Sequence, residues 1–228
     1  MTLSKTFNFR FLILIACLFQ VENAMSQAGA GGNMLLNDNL GRPIAGREYV
    51  DIKGSPFLTE DWIKGIVKLE NGDTFKDIDL KLNVKDYILL FKGKNNEALA
   101  FVKKPLEFRL YDRLFRTGYN LADKSDQNAY YEVLYDGGAK LLKLISKDIK
   151  EAREYNSATT TKTFVETAKY YIAIDGNSLV EITRSKNSIL GALKGPKVEQ
   201  VKKYLSENKL NLKDDADLVK IFAYYDSI

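Results

Sequence analysis

Between Asp77 and Val84 polar and apolar residues alternate without a break: Ile78, Leu80, Leu82 and Val84 against Asp77, Asp79, Lys81 and Asn83. A helix turns every 3.6 residues and would scatter those four apolar side chains around its axis; a strand puts them all on one face. This part of the chain is therefore committed to a sheet with one buried and one wet face, as antiparallel sheets have. The preceding run agrees. Trp62 to Leu69 sets Ile63, Val67 and Leu69 opposite Lys64 and Lys68, with Trp62 expected as a core anchor. Asn71-Gly72 between the two runs is the dipeptide of a type I′ hairpin turn, whose central residues both take positive φ.

More strands follow. Tyr87–Lys92 and Ala98–Val102 flank Gly93-Lys94-Asn95-Asn96 as a second hairpin. After Pro105, Leu106, Phe108 and Leu110 alternate with Glu107, Arg109 and Tyr111, and Leu114–Tyr119 reads as a further short strand. Tyr130–Tyr135 is a strand by its aromatic and β-branched content. Lys140–Lys150 fits a helix through Leu141, Leu144, Ile145 and Ile149, and it also fits a long strand. The Asp136-Gly137 turn just before it favours the strand, since a two-strand hairpin makes direct use of that turn. Tyr170–Ile174 and Leu179–Thr183 make the last hairpin, across Asp175-Gly176.

From Ser185 the period becomes helical. Ser185 or Asn187 can cap a short helix ending near Gly195. Pro196 suits a first helical turn, ahead of Val198, Val201 and Leu205. Asp214 or Asp215 caps a final helix with Leu218, Ile221, Phe222 and Tyr225 on one stripe. Strands first and helices last predict an α+β fold: mainly antiparallel β-meander followed by two or three short C-terminal helices. The expected division is a signal peptide over 1–26, a flexible leader and irregular segment over 27–56, a β-rich region over 57–184, and helices over 185–228 packed on the sheet.

The N-terminus supports export. Lys5 and Arg10 precede the apolar run Phe11–Phe19, and Ala24-Met25-Ser26 places small residues for cleavage before Gln27, the layout of a secretory signal peptide. The run is too short for an integral span of ~20 residues. Leu14-Ile15-Ala16-Cys17 resembles a lipobox, which would instead leave the mature chain lipid-anchored through Cys17. Cleavage after Ser26 leaves no cysteine and no histidine. Disulfides, the usual zinc and copper ligands, and Cys–His or Ser–His–Asp catalysis are then excluded. Paired carboxylates, Ser–Lys, Tyr acids and oxygen-ligated cations remain. The processed chain would keep 32 basic and 29 acidic residues, interspersed, for a net charge of +3. That is an ordinary solvated surface rather than a nucleic-acid footprint.

Several stretches together resemble a group of uncharacterised secreted proteins of Bacteroidota-type bacteria: Gly54-Ser55-Pro56-Phe57-Leu58 with Asp61-Trp62 and Gly65, Tyr135-Asp136-Gly137-Gly138 with Lys140-Leu141-Leu142-Lys143, Tyr155–Thr161, and Asn208-Lys209-Leu210-Asn211-Leu212. The resemblance implies export and a cell-envelope address, and it brings no activity.

Candidate chemistry is sparse. Asp77 and Asp79 can be a carboxylate pair, but strand alternation and the neighbouring Lys76 and Lys81 already account for them as surface residues. Asp214, Asp215 and Asp217 complement a helix dipole. The tyrosines (Tyr130, Tyr131, Tyr135, Tyr155, Tyr170, Tyr171) are expected mainly in sheet packing. The one polar segment not required by the sheet is Tyr155-Asn156-Ser157-Ala158-Thr159-Thr160-Thr161. Its amide and hydroxyl groups at Tyr155, Asn156, Thr159, Thr160 and Thr161 are the candidate ligand-binding residues; no catalytic or metal residue and no cofactor is expected. The sequence reading is an exported, periplasmic or extracellular, non-enzymatic binding or scaffold protein with a protein, peptide or glycan partner. The alternative is a carboxylate-based hydrolase of envelope or extracellular polymers.

Overall fold

A computed structural model describes residues 38–44, 49, 51–121, 128–153, 160–174, 176 and 178–228. The proposed signal peptide, Cys17, and Tyr155, Asn156 and Thr159 lie outside them. A 3-10 turn (Asp38–Leu40) leads into twelve strands, all of one sheet: β1 (Gly41–Pro43), β2 (Ile52–Lys53), β3 (Ile63–Lys68), β4 (Thr74–Asn83), β5 (Ile88–Lys92), β6 (Ala98–Phe101), β7 (Glu107–Leu110), β8 (Arg113–Arg116), β9 (Tyr131–Tyr135), β10 (Lys140–Arg153), β11 (Thr160–Ala173) and β12 (Val180–Ile182). Helices α1 (Lys186–Ala192), α2 (Lys197–Glu207) and α3 (Asp215–Ser227) close the chain. The α+β architecture is thus the one its periodicity dictates.

The strands lie in the order β1-β6-β5-β4-β3-β7-β8-β9-β10-β11-β12, and β2 pairs with β11 in parallel. All the other strand pairs are antiparallel. The stretch 27–56, read as leader and irregular chain, therefore supplies two short strands, one paired to β6 and the other to β11. Lys140–Lys150 is strand throughout. It belongs to a hairpin whose register runs unbroken from Lys140↔Ala173 to Arg153↔Thr160.

The sheet curls. Ile145 of β10 packs in one cluster with Leu80, Phe91, Phe108 and Phe115, strands that a flat sheet would hold several ~4.8 Å spacings away. Backbone bonds from Leu58 to Leu82 (2.9 Å) and from Val84 to Pro56 (3.0 Å) lay the chain after β2 along β4. A second cluster sits under the helices, joining Leu141, Ile172 and Ile182 to Ile189, Val201 and Phe222. A third fills the opposite face of β9–β11, where Tyr119, Tyr131 and Tyr171 meet edge to face at 5.5 and 5.6 Å. Each fully buried Leu or Phe in these clusters contributes about 1.5–3 kcal/mol, so the fold stands without cross-links. Tyr130, Tyr131, Tyr170 and Tyr171 are all buried, as sheet packing requires.

Two expectations change. Trp62 is half-buried rather than a core anchor; the ammonium groups of Lys81 and Lys92 lie 5.4 and 5.9 Å from its ring centre. It sits one residue before β3, on the side opposite Ile63 and Val67. The Asn71-Gly72 turn is also not type I′. Only Gly72 is in the left-handed region (φ +90°), with Gly72 N–H donating to Leu69 O (3.0 Å) and Leu69 N–H to Asp73 O (2.9 Å). This is the three-residue loop with glycine in the left-handed position. It leaves Asn71 Oδ1 to accept from Asp73 N–H (3.1 Å).

Helix α3 is fastened at both ends by aspartates. At its start, Asp214 caps Ala216 N–H (2.8 Å), while Asp215 accepts from Lys143 Nζ (2.6 Å) and Tyr170 OH (2.7 Å). In its last turn Asp226 accepts from Gly138 N–H (2.6 Å), Ala139 N–H (3.2 Å) and Tyr135 OH (3.1 Å). The one buried charged residue among those described, Glu132 of β9, is held by Arg113 of β8 through two bonds of 2.7 and 2.8 Å.

Candidate ligand-binding groove

The β4–β5 turn begins the site. Asn83 Oδ1 accepts from Lys85 N–H (2.9 Å) and Asp86 N–H (3.0 Å), an Asx-type closure. Asp86 in turn accepts from Asn83 Nδ2 (3.2 Å) and Tyr49 OH (2.6 Å). So fastened, the turn carries Tyr87 at φ +54°, a left-handed conformation uncommon for a residue with a bulky side chain. It also points Lys85 at Asp148 of β10 (3.1 Å).

Between this turn and the β10–β11 hairpin lies a cleft of about 250 Å³, lined by Lys85, Tyr87, Leu144, Ser146, Lys147, Asp148, Thr167 and Lys169. The pairing explains its chemistry. Directly opposed residues of an antiparallel pair share a face, and Ser146 opposes Thr167, with their hydroxyls 2.9 Å apart. The same face continues outward through Val165 with Asp148, Thr163 with Lys150, and Thr161 with Ala152. A mainly polar stripe, interrupted by Val165 and Ala152, therefore runs from the cleft toward the hairpin's far end, about 20 Å over six residues.

Tyr87 also lines a second, smaller cavity of about 100 Å³ with Arg42, Lys104, Pro105 and Tyr130 among its walls. Lys104 lies with its Nζ 4.3 Å from the Tyr130 ring centre and donates to the Asn128 carbonyl. Burial pulls its pKa down to about 8. Tyr130 OH donates a hydrogen bond to Pro105 O (3.0 Å), and burial pushes its own pKa up. A third cleft, about 430 Å³ and mainly apolar, is walled by Leu40, Leu69, Phe101 and Val102 with Glu70, Asn71 and Lys103.

Of the residues singled out in the sequence, Thr161 falls on the face that carries Ser146 and Thr167. Thr160 falls on the other face, opposite Arg153. Asp77 and Asp79 are not a converging pair. Asp77 sits at an irregularity in the β3–β4 register with φ +57°, and Asp79 is bonded to Lys64 (3.0 Å), whose Nζ also reaches Asp77 O (3.2 Å). None of the three clefts holds two carboxylates: the first has Asp148, the second none, the third Glu70. Among the described residues no group of His, Cys, Asp and Glu is placed to hold a metal, and no helix is long and apolar enough to cross a membrane.

Sequence reasoning missed Lys85, Tyr87, Ser146, Thr167 and Lys169. Ser146, Thr167 and Lys169 come together only through the β10–β11 pairing, which the Asp136-Gly137 turn, joining β9 to β10, does not announce. Nothing local flags Arg42 and Lys104, which the β1–β6 pairing brings together. No family model, no curated protein and no solved structure matches the chain.

Proposed function

We propose that this is an exported binding protein of the cell envelope or extracellular space, non-enzymatic, that holds a hydroxyl-rich polar ligand such as a glycan against the β10–β11 hairpin. One observation carries the reading: the cleft joining the β4–β5 turn to the hairpin, where Lys85, Ser146, Thr167 and Lys169 supply donors and Tyr87 a ring. Hydroxyls, ammonium groups and an aromatic face are the means by which a rigid sheet holds a sugar chain. Export rests on the basic n-region, apolar run and small-residue cleavage site of residues 1–26. The carboxylate-pair hydrolase is the less favoured reading, since it needs two carboxyl groups about 5–10 Å apart across a cleft.

The test is calorimetric titration of the full-length protein with cellohexaose, chitohexaose and hexagalacturonate, each mixture also examined by mass spectrometry for shortened chains. Saturable binding of at least one hexamer without cleavage, weakened in Thr167→Ala, supports the reading. Shortened chains reassign the protein to hydrolysis. Absence of heat with all three removes the glycan.

A further inference from the structure

Arg42 and Lys104 share a wall of the 100 Å³ cavity, and among the described residues neither has an acidic partner. The other lysines on the groove lining have a carboxylate in reach, though Lys147 extends from the opposite face of β10: Lys85 has Asp148 at 3.1 Å, Lys147 has Glu166 at 3.8 Å and Lys169 has Glu181 at 3.9 Å. Lys104 instead has a carbonyl and a ring face, and no salt bridge joins it or Arg42 to any described residue. Removing an ammonium group from water without a counter-charge is unfavourable. A cation kept in that position, with a second cation on the lining of the same open cavity, is suited to receive an anion. The space holds roughly three waters' volume, which suits one compact group.

Resting on the groove reading above, we infer that Arg42 and Lys104 form a subsite for a single oxyanion, a carboxylate or sulfate carried on the ligand, and that the ligand is therefore an acidic glycan. Tyr87 lines both this cavity and the larger cleft, so a sugar whose hydroxyls lie along Ser146 and Thr167 reaches the two cations past the Tyr87 ring. The guanidinium offers a planar fork for the oxyanion and the ammonium a point charge. Among the described residues lining the cavity, the titratable and charged groups beside Lys104 are Arg42 from β1, Tyr87 from the β4–β5 turn, and Tyr130 ahead of β9. None of them is negative near neutral pH, so the incoming anion supplies the missing charge and holds the proton on Lys104.

The experiment uses the full-length protein at pH 8.5 and three probes: hexagalacturonate, cellohexaose and inorganic sulfate. Each is titrated in two buffers of different ionisation enthalpy, so that proton uptake is read directly. Hexagalacturonate is expected to bind with uptake of a fraction of a proton, and Arg42→Gln to weaken it at least 10-fold while leaving cellohexaose unchanged. Lys104→Met should abolish the uptake. Arg42→Gln lies on an exposed residue and keeps the test usable if Lys104→Met folds poorly. Equal hexagalacturonate binding by the wild type and Arg42→Gln, or binding without uptake, overturns the subsite and leaves the groove standing. If neither sugar binds but sulfate does, with uptake that Arg42→Gln removes, the subsite stands and the glycan reading falls. If no probe binds, both fall.

Discussion

Asp226 occupies the place a side chain on Gly137 would need: a Cβ there would come within 2.0 Å of the Asp226 Oδ2. The glycine is fixed by that close approach, not by its backbone angles, since neither Gly137 nor Gly138 takes a positive φ. An acidic residue in the last turn of a helix faces the negative end of the dipole. Here the Gly138 and Ala139 N–H groups of the β9–β10 turn offset it and tie helix to sheet.

Gly137→Ala should therefore destabilise the fold by about 2 kcal/mol or more through forced displacement of α3. Asp226→Ala should cost about 2 kcal/mol, in line with bonds to a charged acceptor. Denaturant midpoints give both values, and Gly137→Ala in the Asp226→Ala background should be milder than in the wild type. Equal costs in the two backgrounds would show that the carboxylate is not what Gly137 makes room for.

Glu132 and Arg113 should behave as a unit. Glu132→Ala leaves the half-buried guanidinium without its partner and is expected to cost about 3–5 kcal/mol, whereas Arg113→Leu with Glu132→Leu should recover most of that loss. Bonding to Glu132 holds the Arg113 pKa above its ordinary value, so the guanidinium keeps its charge across the working range. Thermal unfolding of Glu132→Ala and of the double variant, each against the wild type, reads the comparison.

Acid should loosen the start of α3. Burial pushes the Asp215 carboxyl up, but the bonds from Lys143 and Tyr170 outweigh it and leave its pKa below the ordinary 3.8. A depressed carboxyl pKa stabilises the fold above the unfolded value, and the contribution disappears as pH falls through the folded one. Stability measured from pH 5 downward should fall less steeply in Lys143→Met than in the wild type. Parallel curves would contradict the linkage.

Lys104 should act in the opposite range. Its folded pKa of about 8 lies below the ordinary 10.5 because of burial. Between those values the unfolded chain holds more protons than the folded one, so stability rises with pH. Urea unfolding from pH 7.5 to 10.5 is expected to show this rise in the wild type and a flatter profile in Lys104→Met.

Export predicts a mature chain beginning at Gln27. Mass spectrometry of the protein recovered from fractionated cells decides this. A lipidated Cys17 at the N-terminus would place the protein on a membrane surface instead.

Much of the fold was legible because it is local. The alternation of Ile78 to Val84 and the turn at Asp136-Gly137 each act over a few residues, and the strands they predict are present. What was not legible depends on residues far apart in sequence. Trp62 reads as core by composition, yet its place just outside β3 leaves it under Lys81 and Lys92. Glu132 sits in a run of Tyr, Val and Leu, and its burial is tolerable only because Arg113 arrives from β8. The Asn156–Thr161 segment gave no hint of the cleft, since Lys85 and Tyr87 come from the β4–β5 turn, far away in sequence.

That curl has a consequence for assembly. Strand β1 pairs with a partner 60 residues later (Gly41↔Phe101), and β2 with one 110 residues later (Ile52↔Lys162). Contacts so distant along the chain form late, because the intervening loop must close before they contribute. The hairpins β3–β4, β4–β5, β5–β6 and β7–β8 can each form from neighbouring strands, as can β10–β11. Pulsed hydrogen exchange during refolding should find Ile52 and Lys53 protected after Ile63–Lys68. Of the described strands, the two that come first along the chain are expected to be the last to find a partner.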